Sequence, residues 1–266
     1  MNGQDRMVIW VGEREVGGRI NTLHDGSVYT ITNNTWSRMS TTGIGSADTR
    51  SHHTAVFGNG GMYIWGGYEY DENENKVYKD GDVLKYTYDS WQRYVEGADT
   101  PPSRAHHSAI WNGSRMIVWG GADDTNIFND GAMFLPGLNT WYPITDVNAP
   151  IKRYGHSAIW TGAQAGTPAD VQNKMIVWGG NSESPYSNIG LNDGKIYDPN
   201  NGAEGSWTDI TETSDTPSYR YYHTAVWLDD IDMMVIWGGR SGNDNGSLSY
   251  GKYDGGQYNP LPDLME

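Results

Sequence analysis

His107–Gly121 reads HSAIWNGSRMIVWGG, and the chain is built by repeating this stretch. Its second half is an apolar run ending in Trp and usually Gly-Gly. It occurs five times, as Met7–Gly12 (MVIWVG), Met62–Gly67 (MYIWGG), Met116–Gly121 (MIVWGG), Met175–Gly180 (MIVWGG) and Met234–Gly239 (MVIWGG). The tryptophans Trp10, Trp65, Trp119, Trp178 and Trp237 stand 55, 54, 59 and 59 residues apart. A spacing kept over a whole chain marks an internal repeat.

Three further anchors keep phase with the run. Before it stands Arg-x-x-His-[Ser/Thr]-Ala-[Val/Ile], at Arg50/His53, Arg104/His107, Arg153/His156 and Arg220/His223. After it stands Asp-Gly, at Asp25, Asp80, Asp130, Asp193 and Asp254. A second tryptophan follows at Trp36, Trp91, Trp141 and Trp207, eleven residues after the Asp in the first three cases and fourteen in the last. Each repeat therefore holds four short strands. Strand a carries the His, b the Trp-Gly-Gly run, c follows Asp-Gly, and d carries the second Trp. Asn59-Gly60 and Asn112-Gly113 join a to b, because Asn-Gly suits the positive φ of a tight hairpin turn. Prolines 101, 102, 150 and 217 fall between d and the next a, where strands must break.

Composition agrees with an all-β chain. Leu, Ile, Val and Phe supply only 43 of 266 residues, but 12 Trp and 18 Tyr supply large buried area instead. No apolar stretch keeps helical spacing over three turns. No run of about 18 apolar residues exists, which excludes a membrane-spanning helix. Zero cysteines exclude disulfides, thiolate metal sites and a cysteine nucleophile. A net charge of −15 argues against nucleic acid as a partner, since phosphate binding needs clustered Lys and Arg.

A four-strand repeat of about 55 residues is the size of a propeller blade. The Arg-x-x-His strand, the Gly-Gly strand, a Tyr strand (Tyr29, Tyr86, Tyr197, Tyr258) and the Trp strand together resemble the kelch repeat. The resemblance covers the whole chain and implies one kelch-like β-propeller domain, with repeats at about 1–41, 42–96, 97–146, 147–212 and 213–266. The variant H[ST]A[VI]W…M[IV]VWGG is most similar to kelch-like propellers of large bacterial and archaeal secreted or surface proteins. An extracellular or cell-surface setting is the expectation that follows. By these anchors the first repeat starts after strand a and the last stops as d begins. Three arrangements stay open: a closed ring of five with incomplete end repeats, part of a longer propeller, or self-association in which neighbouring copies supply the missing pairing.

The expected function is a non-catalytic scaffold presenting loops to a protein or carbohydrate ligand. The expected binding residues are Arg50, Arg104, Arg153 and Arg220, which in kelch adaptors can face the mouth, together with His52, His106, Tyr68 and Asp71. The arginines read equally well as ties to a loop carbonyl or carboxylate, and the in-phase histidines as framework. His52 and His106 break the pattern, since Gly155 and Tyr222 hold the matching places. The b–c loops are acidic, and their oxygens suit calcium, with Asp123, Asp124 and Asp244 as the expected ligands. The alternative class is a carbohydrate-active enzyme, since sialic-acid mutarotases and some polysaccharide lyases share this type of propeller. His52, His106, Arg104 and Glu69 would then be its acid–base groups. The copper chemistry of kelch-fold galactose oxidases needs a cysteine-linked tyrosine and is excluded.

Overall fold

A computed structural model describes residues 6–10, 12–23, 25–43, 49–71, 73–79, 81–87, 89–163, 172–183, 190–241, 250–251 and 255–258. Among them the secondary structure is all β apart from one 3₁₀ turn at Ile31–Asn33. No helix among the described residues is long and apolar enough to cross a membrane.

Five antiparallel sheets follow the repeat. Repeats 2, 3 and 4 each have the order a-b-c-d, while b-c-d is described in repeat 1 and a-b-c in repeat 5. Repeat 4 shows the pattern: Ser157–Trp160, Met175–Trp178, Gly194–Asp198 and Ser206–Asp209. The Asp-Gly anchor has a steric reason. Gly26, Gly194 and Gly255 pair with Trp10, Trp178 and Trp237 across strands b and c. A Cβ on Gly26 would lie 2.6 Å from the Trp10 ring and 2.5 Å from the Ile9 carbonyl oxygen. At the a–b turn of repeat 2, Asn59 and Gly60 take φ of 42° and 72°, as the Asn-Gly reading requires.

Successive repeats meet through aromatic and apolar side chains. The b-strand Trp of one repeat lies against the d-strand Trp of the next: Trp10 on Trp91 at 4.5 Å, Trp65 on Trp141 at 5.4 Å and Trp119 on Trp207 at 4.6 Å between ring centres. The indoles of Trp91 and Trp207 also donate to the Ser40 and Thr145 carbonyls of the preceding repeat. Around these pairs the cores are continuous. Ile110, Ile117 and Trp119 of repeat 3 pack with Met175, Val177 and Trp207 of repeat 4. Tryptophan and tyrosine therefore do the packing that Leu and Phe do elsewhere.

The Gly-Gly and His anchors explain each other. A Cβ on Gly120 or Gly179, the first glycine of its pair, would meet the imidazole of the next repeat, His156 at 2.8 Å or His223 at 2.7 Å. A Cβ on Gly180, the second glycine, would meet His156 of its own repeat at 2.9 Å. The histidines then bridge repeats: His156 Nε2 lies 2.8 Å from Ser108 Oγ, and His223 Nε2 lies 2.8 Å from Ser157 Oγ. The second glycine's amide donates to the carbonyl of the next Arg, as Gly67 to Arg104, Gly121 to Arg153 and Gly180 to Arg220.

The b–c connections, expected to be loops, contain hairpins in three repeats: Glu13–Val16 with Arg19–Thr22, Tyr68–Tyr70 with Lys76–Tyr78, and Arg240–Ser241 with Tyr250–Gly251. These strands are two to four residues long, too short for alternation to register in the sequence. By contacts the chain forms two compact units. One comprises residues 1–105, 113–116 and 134–141, and the other 106–112, 117–133 and 142–266.

Candidate functional site

The segment entering strand a sets the site. Its four arginines are 0 or 1% exposed. Arg50, Arg153 and Arg220 donate from Nη1 to the carbonyls of Gly66, Gly179 and Gly238, at 3.1, 3.0 and 3.1 Å. Arg104, Arg153 and Arg220 donate from Nε to the carbonyl two residues before, at 3.0 Å in each case. Arg153 also faces the Asp193 carboxylate at 3.1 Å. Of the two readings of these residues, the geometry takes the tie to carbonyls over the ligand-facing mouth. Enclosed guanidinium groups hold the glycine turn of strand b and present no surface to a ligand.

Two residues after each Arg the backbone turns left-handed. His52, His106, Gly155 and Tyr222 have φ of 53°, 55°, 62° and 53°. Only glycine adopts this region freely; other residues hold it at about 1 kcal/mol or more, and such outliers cluster at binding sites. In repeats 3, 4 and 5 these positions form a backbone chain. Gly155 N–H donates to the His106 carbonyl at 2.9 Å, and Tyr222 N–H donates to the Gly155 carbonyl at 2.7 Å.

Because repeat 4 has glycine at this step, side chains from repeats 3 and 5 meet above it. A Cβ on Gly155 would press on the Tyr222 ring at 3.0 Å. With none there, the Tyr222 hydroxyl reaches His106 Nδ1 at 3.2 Å, and the two rings meet edge to face with centres 5.4 Å apart. Tyr154 lies 6.2 Å from each of them, and Tyr221 lies 5.3 Å from Tyr222. Tyr154 and Tyr221 are buried beneath, whereas Tyr222 is 42% exposed and His106 half-buried. Burial pushes the Tyr154 phenol up to about 12, with Tyr221 adding to it, and burial raises Tyr222 as well. The cluster is thus a floor of neutral phenols under one exposed ring, suited to stacking and neutral hydrogen bonds rather than to anchoring a charge. Tyr154 and Tyr221 were not singled out in the sequence. Their signal was the position one step after the Arg, just before Gly155 and Tyr222.

Of the other expected residues, His52, Tyr68 and Asp71 lie in the first compact unit. His52 stacks on Tyr68 at 5.1 Å and faces Glu13 at 3.6 Å. Burial lowers its pKa, with Glu13 opposing. Tyr68 is only 3% exposed, flanked by Tyr70 and Tyr78 with Lys76 over its ring, so it is the core of its hairpin. Asp71 closes that hairpin, accepting from the amides of Asn73 and Asn75 at 2.8 Å. These bonds hold its carboxyl below the usual range. Asp123 does the same for the b–c loop of repeat 3, accepting from the amides of Thr125 and Asn126 at 2.7 and 2.6 Å. Among the described residues, no group of three or more His, Asp or Glu side chains is placed to hold a metal ion. Asp124 is described in the same loop, and Asp244 lies outside the described residues.

Comparison with known proteins agrees with this architecture. The profile described as the KLHDC2/KLHL20/DRC7 Kelch-repeats domain matches residues 1–165. A leucine-zipper-like transcriptional regulator 1 homolog of Drosophila melanogaster is 24% identical over 90% of the chain and 29% of its own length. Tip elongation aberrant protein 1 of Schizosaccharomyces pombe is 28% identical over 82% of the chain and 18% of its own length. Kelch domain-containing protein 1 of Mus musculus is 32% identical over 37% of the chain and 26% of its own length. The chain thus spans less than a third of each of these relatives. The solved structure of YjhT aligns with a TM-score of 0.67 at 14% identity, covering 95% of this chain and 78% of that one.

Proposed function

Since the chain belongs to the kelch-repeat domain family and has its β-propeller fold, we propose that it is a protein-binding module whose contact surface is the aromatic cluster of His106, Tyr154 and Tyr222. The fold commonly serves protein binding, and that is the general support. The observation that carries the specific reading is the pair of ring-bearing residues held left-handed, His106 and Tyr222, meeting over Gly155. The framework asks only for a backbone that tolerates positive φ there, and glycine would satisfy it more cheaply. A neutral ring with a hydroxyl, set on buried phenols, takes an apolar, aromatic or proline side chain of a polypeptide by stacking.

The test uses the same backbone logic. His106→Gly and Tyr222→Gly remove the rings and suit the local φ, so the double variant should melt no lower than the parent. Displayed random peptides are panned on the parent and counter-selected on the double variant. Peptides that bind the parent and lose at least tenfold on the variant support the reading. Failure of any peptide to distinguish the two proteins overturns it. So does an arrayed glycan that makes the distinction instead, because the surface would then serve sugars.

A further inference from the structure

A cavity of about 440 Å³ lies within the first compact unit. Strands b, c and d of repeat 1 line one side, and the a–b and c–d turns of repeat 2 line the other. Its size falls in the range of small-molecule sites, roughly 300–1,000 Å³. All of its lining residues are described. The floor is the core that the two repeats share: Val28, Met62 and Tyr86 are buried there, with Val8 packed against them.

Residue size makes the room. Counted from the strand anchors, Thr30, Ser37 and Gly61 stand where other repeats carry Leu135, Tyr142 and Lys174. In repeat 4 the Lys174 ammonium crosses to Asp198 at 2.5 Å. The matching residues of repeat 2 are Gly61 and Thr87, and neither has a long side chain to fill the space. Among the described residues, Thr87 Oγ1 is buried with no hydrogen-bond partner, and such a hydroxyl is costly unless something supplies the bond. Arg6 and Arg38 bring two guanidinium groups to the lining against one carboxylate, Asp89. That carboxylate is turned to the protein, accepting from the Ser40 amide at 3.0 Å and the Tyr86 hydroxyl at 2.8 Å. The lining is therefore net cationic in a chain of net charge −15.

We propose that this cavity binds a small amphipathic carboxylate, an organic acid with an aliphatic or aromatic body. The body lies on Val8, Val28, Met62 and Tyr86, and the carboxylate meets Arg6 and Arg38. Guanidinium groups match a carboxylate in charge and in planar geometry. The apolar floor disfavours a polar body such as a sugar, whose hydroxyls would be buried unpaired. The Thr87 hydroxyl supplies a further donor to the acid. The site shares no residue with the polypeptide surface of repeats 3 to 5, so either can fail alone.

Calorimetric titration of the 266-residue chain tests this. The probes are phenylbutyrate and a series of other short aliphatic and aromatic acids, each beside its neutral alcohol. At least one acid should bind saturably, one molecule per chain. Its alcohol should bind roughly tenfold more weakly, the loss expected for one charge-assisted hydrogen bond. Arg38→Gln, at an exposed position, should keep the parent melting temperature and reduce the acid to the affinity of its alcohol. Arg6→Gln repeats the measurement should that variant fold poorly. Thr87→Val should weaken the acid without lowering the melting temperature, because the hydroxyl has no internal bond to lose. Thr30→Leu combined with Ser37→Tyr borrows the larger residues of repeat 3 and should abolish binding of acid and alcohol alike. Absence of saturable binding by every acid overturns the proposal. So does an alcohol that binds as well as its acid, or binding that survives the filled cavity.

Discussion

Strand b of repeat 4 ends MIVW at Met175–Trp178, and strand b of repeat 5 ends MVIW at Met234–Trp237. Both are strands, and both pair their tryptophan with the glycine of Asp-Gly on strand c. Yet Trp178 is 1% exposed and Trp237 is 59% exposed. The local pattern makes the strand and its register. What covers its two faces depends on the repeats before and after it. In repeat 4 both faces are covered, by Ile110, Ile117 and Trp119 of repeat 3 on one side and by Met234 and Ile236 of repeat 5 on the other. The same four residue types thus bury their tryptophan in one place and expose it in another.

The largest expected effect breaks this comparison directly. Trp178→Ala should destabilise the protein by about 3–5 kcal/mol, as a large ring leaves a filled core. Trp237→Ala should cost less than about 1 kcal/mol. Equal losses in urea unfolding would mean that burial does not distinguish the two strands.

The in-phase buried histidines, two of which bridge repeats, sharpen it by pH. Burial, assisted by the neighbouring arginines, lowers His53 to about 3 and His223 to about 4, and holds His156 well below its ordinary value. Unfolding returns each to about 6.5, so the unfolded state binds more protons between these values. Stability is then fully present above about pH 6.5 and falls as the pH drops toward about 4, at up to about 1.4 kcal/mol per pH unit for each histidine. Chemical denaturation at a series of pH values checks the slope. His223→Asn should flatten it, and a slope unchanged by that substitution would remove the bridge from the account.

Gly179→Ala is next in size. It combines φ of 67° with a Cβ 2.7 Å from the His223 ring and should cost about 2 kcal/mol in a thermal melt. Gly137→Ala is the control, with no atom within 4 Å of its Cβ and no positive φ, and it should be neutral. The smallest effect belongs to the loops. Asp123→Ala removes the acceptor for two backbone amides of an exposed turn and should cost about 1 kcal/mol, whereas Asp123→Asn keeps an acceptor and should cost less. Amide hydrogen exchange at Thr125 and Asn126 reads the local effect.

Much of the fold was legible because each anchor is a steric necessity repeated in phase. Glycine opposite the strand-b tryptophan and glycines against the imidazoles of two repeats leave no alternative residue, so the letters recur. The arginines were legible as ties, and their burial removes the competing ligand-facing reading. The candidate site was half visible. His52, His106, Gly155 and Tyr222 stood out as irregular at one aligned position, but the letters do not show that this position has positive φ. Nor do they show that rings from repeats 3 and 5 meet over the glycine of repeat 4, since His106 and Tyr222 are 116 residues apart. The b–c hairpins were not read, because strands such as Glu13–Val16, with every residue exposed, carry no hydrophobic alternation.

By itself, then, the sequence determined the repeat, the four strands of each unit, the register marked by Trp and Gly, and the kelch resemblance, because these depend on local sterics and on spacing along the chain. Only the tertiary structure decided which of the equivalent residues are buried, which rings converge into a surface, and which faces stay uncovered. Burial and convergence are properties of what lies across a contact. Strands of the same composition therefore differ in burial as soon as their neighbours differ.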